Sequence, residues 1–167
     1  MNNVVLLVEY ALLLGIGATI FMDVYAVVIK KLFNIPSLDY AMVGRWIGSF
    51  PKGIFSHPNI MQATPVKNER VLGWVVHYMI GISFAFVLLL ICGIEWLSAP
   101  TFLPALIIGI GTTVFPFFMM QPAFGFGIAA SKTPKPSIVR FRSLQAHTIY
   151  GVGLYLAGVV ISLIIGQ

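Results

Sequence analysis

The chain has 167 residues, of which 59 % are hydrophobic and only 9 % charged, and its mean hydropathy is +0.96. Soluble domains carry about 25 % charged residues, so so much apolar surface cannot be hidden in a water-soluble globule of this length, and the bilayer is the solvent the composition requires. The net charge of +5 comes from cations confined to two segments between apolar runs, a topology signal that argues against nucleic-acid binding, and the single cysteine, Cys92, allows neither a disulfide framework nor a cysteine metal site.

The first apolar run covers residues 4–33 and is interrupted by Glu9 and Asp23. A span needs about 20 residues, so a transmembrane helix is predicted over 10–30, with Lys30 and Lys31 at one interface. No Lys or Arg precedes the run, which predicts a retained span and not a cleaved signal peptide and makes Asp23 intramembrane. Residues 34–70 are polar and basic. Within them Pro36 and Ser37 read as a helix start, and Leu38, Met42, Val43, Trp46, Ile47 and Phe50 share one face, predicting a short interfacial amphipathic helix. Pro51, Gly53, Pro58 and Pro65 make the rest a loop, and His57 within it reads as a loop residue.

The second span is predicted over 71–95, because no charged residue lies between Arg70 and Glu95. His77 is its one ionisable group, with Gly73 and Gly81 a helical turn to either side. A third span over 102–121 contains Pro116, which kinks a membrane helix without forbidding it. In the connection that follows, Gly125-Phe126-Gly127 and Ser131-Lys132-Thr133 resemble a phosphate-binding loop only loosely: the glycine spacing before Lys-Thr is absent and no strand precedes it, so an NTPase is not expected. The fourth span is predicted over 142–165. The fold class expected is therefore all-α: a polytopic membrane protein in one domain, four transmembrane helices arranged as two hairpins in a four-helix bundle.

All ten Lys and Arg residues lie at positions 30–70 or 132–142. These are the first and third connections, which the positive-inside rule places in the cytoplasm with both termini outside. Counting 1.5 Å per residue from Lys30, Arg70 and Arg140 puts Asp23, His77 and His147 each about 10 Å inside the membrane. Thr19, Gly73, Gly81, Ser143 and Gly151 make small-residue faces around them, the kind of face on which membrane helices pack. Gln121 falls close to that level, and Arg142 begins the fourth span. Ionisable groups at depth cost about 2.5 kcal/mol or more and are functional by default. Asp23, His77 and His147 thus become candidates for a proton or ligand site, and they match the ligand types of a two-histidine, one-carboxylate metal centre. Arg70, His77 and Gly81 recur at an offset of 70 as Arg140, His147 and Gly151, an internal repeat relating the two hairpins. Two histidines so related could flank a haem, but no haem-specific motif accompanies them.

Pro36-Ser37-Leu38-Asp39-Tyr40, Val43-Gly44-Arg45-Trp46, Gly73-Trp74-Val75-Val76-His77-Tyr78, Met120-Gln121-Pro122-Ala123, Ala129-Ala130-Ser131-Lys132-Thr133-Pro134 and Gly151-Val152-Gly153-Leu154-Tyr155 occur in this order over nearly the whole chain. Together they resemble a family of small bacterial membrane proteins known only as a domain of unknown function. The resemblance implies a bacterial four-span protein, hence the inner membrane, and implies no activity, substrate or cofactor. Three readings follow from the residues. The first is binding or transport of a small ligand, proton or cation by Asp23, His77 and His147 with Gln121 and Arg142. The second is a membrane-embedded enzyme or redox or lipid-handling protein, with Arg45 and Lys132 on an anionic head group. The third is an accessory subunit whose small-residue stripes, such as Ala11, Gly15 and Thr19, meet a second copy or a membrane-complex partner.

Overall fold

The computed structural model describes residues 3–165, whose regular elements are all helical with no strand among them. Four helices of the described chain are long and apolar enough to cross a membrane: Val4–Phe33, Glu69–Cys92, Phe102–Ala123 and Pro136–Ile165. At most 33 % of the most apolar window of each is buried within the protein, a proportion only lipid can satisfy. In chain order the helices are α1 (Asn3–Phe33), α2 (Tyr40–Gly48), α3 (Glu69–Cys92), α4 (Phe102–Gly111), α5 (Gln121–Ala123) and α6 (Pro136–Ile165).

Local chemistry sets the helix ends. α3 stops at Cys92, short of the expected 95, because Gly93 turns the chain at φ 77 and the next residues tighten into a 3-10 turn, Ile94–Ser98. α6 begins at Pro136, where proline at the first position is tolerated, so Arg140 and Arg142 are helical and not loop residues. The third span is composite. Pro116 cannot donate a backbone hydrogen bond, and from it the helix widens into a π-turn, Pro116–Met120, in which the Gln121 amide bonds the Pro116 carbonyl five residues back. The expected kink is therefore a change of helical pitch that leads into α5.

The contacts group the chain into two units. The first takes the described parts of residues 1–37, 78–112 and 146–167. Its helices meet through glycines. A Cβ on Gly15 would stand 2.5 Å from the Ile82 Cα, and one on Gly81 would overlap the Thr19 hydroxyl, so α1 and α3 touch backbone to backbone. α4 and α6 do the same, with the Gly151 Cα 2.5 Å from a Cβ built on Gly109. Leu14, Leu88, Leu89, Leu97 and Leu154 fill the space between, and the Tyr150 hydroxyl donates to the Gly81 carbonyl at 2.5 Å.

The second unit takes Leu38–His77 and Thr113–Gln145. Asp39 caps α2 by accepting from the Ala41 amide at 3.0 Å. α2 then packs on the start of α3 with no intervening side chain: a Cβ on Gly44 would overlap the Glu69 carbonyl, and one on Gly73 the Tyr40 carbonyl. The amphipathic helix is present, and the protein itself covers its apolar face, Val43 and Trp46 being buried with Ile60 and Phe124. The Trp46 indole N–H donates to the Phe55 carbonyl at 2.7 Å. Two further bonds, His57 N–H to Ala123 O at 2.8 Å and Ile60 N–H to Phe124 O at 3.0 Å, join the first connection to the end of α5.

Backbone contact of this kind is intolerant of one added methyl. Gly73→Ala should lower thermal stability in detergent by roughly 1–3 kcal/mol, the cost of overpacking. Gly111→Ala, where a Cβ meets nothing within 4 Å, should leave the unfolding midpoint unchanged or raise it. Equal midpoints for the two variants would refute the close-contact account.

Candidate functional site

Two polar pairs lie in the first unit. Because Gly15 and Gly81 bring α1 and α3 together, Tyr78 on α3 reaches Asp23 on α1, its hydroxyl donating to Oδ2 at 3.0 Å. Both residues are half-buried. The second pair joins Thr112 to His147: the hydroxyl oxygen stands 2.8 Å from Nδ1 of the imidazole. Thr112 has one hydroxyl hydrogen and gives it to the Gly109 carbonyl at 2.7 Å. The contact with Thr112 orients the imidazole of His147 through Nδ1. The Phe84 ring flanks the imidazole, centroids 6.3 Å apart.

In the second unit His77 stacks on Tyr40 at 4.1 Å between centroids, with Trp74 edge-on at 5.7 Å. The Gly44 and Gly73 contacts are what carry Tyr40 to that position. Gln121, 6 % exposed, donates through Nε2 to the Ser143 hydroxyl at 3.1 Å while its Oε1 has no partner. The Thr113 hydroxyl, 4 % exposed, is also without a partner, as is His57 Nε2. Arg142 is exposed.

Arg45, read from sequence as a head-group contact, is engaged within the unit. Its Nε and Nη2 hold both carboxylate oxygens of Glu69 at 2.9 and 2.8 Å, and its Nη1 donates to the carbonyls of Ile60 and Ala63. Glu69 Oε2 also accepts from the Val66 amide at 2.9 Å, so this fork and carboxylate clamp the whole first connection. The hydrogen bond to Glu69 holds the Arg45 proton more tightly than usual, raising its pKa. Lys132 has no such engagement. It lines an open cleft of about 390 Å³ together with Pro122, Gly125, Gly127, Ile128 and Ser131. Among the described residues, no group of three or more His, Cys, Asp and Glu side chains is placed to hold a metal ion. Asp23 meets Tyr78, His77 meets Tyr40 and Trp74, and His147 meets Thr112 and Phe84.

A family profile described as Protein of unknown function (DUF2938) matches residues 12–161, nearly the full chain. The chain belongs to this family. Comparison with curated proteins and with solved structures found no match. For this DUF2938 chain, then, roles rest on geometry. Sequence reasoning overlooked Tyr78 and Tyr40 as partners, although both sit inside the motifs that carry the family resemblance, Tyr78 beside His77 and Tyr40 one residue past the Asp39 cap. It also gave Glu69 no role. No periodicity marks it as the partner of a residue 24 positions earlier.

The clamp in this DUF2938 chain makes a direct expectation. Arg45→Lys removes the fork and cannot hold Glu69 and two carbonyls together, so it should cost about 2 kcal/mol and speed amide exchange across residues 54–66. Exchange there unchanged from wild type would show that the clamp is not what orders the connection.

Proposed function

We propose that the protein binds a proton or small cation within the membrane and passes it across, with Asp23 and His147 as the titrating groups of the first unit. The observation that carries this reading is the held imidazole of His147: the Thr112 hydroxyl oxygen stands 2.8 Å from Nδ1 and orients the ring. Asp23, about two turns inside Lys30, adds a carboxylate that accepts from the Tyr78 hydroxyl.

The third span adds support in the second unit. A buried acceptor without a partner costs about 1–3 kcal/mol, and Gln121 and Thr113 each keep one beside the π-turn, an interruption found often at functional positions. A guest bearing hydrogens or positive charge relieves that cost. His77, stacked on Tyr40, and Arg142 complete the residues assigned to the reading. With the basic connections in the cytoplasm of a bacterial cell, the protein is oriented in the inner membrane with both termini outside.

Proteoliposomes with an entrapped pH dye and a potassium diffusion potential test it directly. Proton uptake should exceed that of protein-free vesicles, and His147→Gln should slow it by about a hundredfold, the scale of losing a positioned acid-base group. His57→Gln, in the loop, should transport as wild type does. Radioactive sodium in the same vesicles tests the cation arm. Rates equal to protein-free vesicles for both probes would refute the proposal.

A further inference from the structure

The cleft of the third connection takes no part in that reading, and its chemistry differs. We propose that it binds a phosphate-bearing anion, presented by a phospholipid head group. Of the ten Lys and Arg residues, eight belong to the second unit, against two acids, Asp39 and Glu69, for a net charge of +6. Arg45 is spent on Glu69. Lys132 stands on the cleft wall with no carboxylate partner.

The wall that presents Lys132 is built from strained but well-bonded backbone. Ala129 and Ala130 both adopt positive φ, 47 and 59, a conformation costing roughly 1–2 kcal/mol for each non-glycine residue and typical of positions held by function. Hydrogen bonds fix them there: Lys132 N–H to Phe126 O at 2.8 Å, the Thr133 hydroxyl to Ala130 O at 2.8 Å, and Arg140 Nε to Ala129 O at 2.7 Å. Gly127, at φ 75, leaves the space a Cβ would take from the Ser131 hydroxyl and the Lys132 stem. A cation and a hydroxyl thus meet at a wall that carries no acid.

The source of the phosphate follows from where the cleft begins. Pro122 is both a cleft wall and a residue of the third span, Phe102–Ala123, so the opening starts where hydrocarbon ends and head groups lie. The remaining walls are proline, glycine and Ile128, apolar enough for the glycerol and first methylenes of a lipid, and 390 Å³ admits a head group.

Full-length protein equilibrated with equal amounts of phosphatidylglycerol and phosphatidylcholine and released for native mass spectrometry reads the site. Wild type should retain phosphatidylglycerol preferentially. Lys132→Gln should cut the preference about fivefold, while Lys52→Gln, removing the same charge from the same unit away from the cleft, should leave it intact. An unchanged melting curve for Lys132→Gln confirms that the fold is kept. Displacement of the lipid by millimolar inorganic phosphate would assign the cleft to phosphate from solution and overturn the lipid source. Equal retention of both lipids, or equal effects of the two lysine variants, would overturn the site.

Discussion

Lipid solvates leucine as well as protein does, so apolar burial cannot by itself hold one membrane helix to another, and helices must gain from close contact instead. In this chain that contact is made at glycine. Gly15 and Gly81 let α1 touch α3, Gly109 and Gly151 let α4 touch α6, and Gly44 and Gly73 let α2 lie on the first turns of α3. Each crossing then delivers a polar contact that a wider spacing would break. The first brings Tyr78 to Asp23, the second lets Thr112 on one helix reach His147 on the other, and the third sets Tyr40 on His77. The small residues thereby determine which ionisable groups acquire which neighbours.

Much of this was legible in residue type and spacing. Charge gaps located the spans, because a charge in hydrocarbon is expensive whatever its neighbours. Small residues beside His77 and His147 marked the packing faces, and Gly81 and Gly151 do stand at the α1–α3 and α4–α6 crossings. What could not be read was partner choice. Asp23 and Tyr78 are 55 positions apart, Thr112 and His147 35, and nothing local links them. The π-turn was also out of reach: Pro116 announces a disturbed helix, but whether the helix bends or widens depends on whether the next carbonyl finds a donor four or five residues on.

The same distinction separates the two cations that sequence placed together. Arg45 and Lys132 both lie in basic connections, and composition gives no reason to treat them differently. A guanidinium has five donors in a fixed plane and can hold a carboxylate and two carbonyls at once, so Arg45 is suited to an internal clamp. An ammonium is a point charge on a flexible stem, and Lys132 projects into a cleft. The choice of cation reports the role once the neighbours are known.

Hydroxyl groups in the spans can be sorted in the same way. Thr19 donates to Gly15 O at 2.7 Å and Ser83 to Met79 O at 2.8 Å, so each spends its hydrogen on its own helix and becomes compatible with an apolar setting. Thr112 also lies within reach of the carbonyl of Gly109, but its oxygen faces the His147 ring as well. A hydroxyl that in Thr19 only satisfies its own helix therefore joins two helices in Thr112. The Thr113 hydroxyl, one residue later, has no partner, and neither does the Gln121 side-chain oxygen beyond the π-turn. The widened third helix thus leaves the hydrogen-bonding capacity of two buried side chains unspent, at a cost of about 1–3 kcal/mol each.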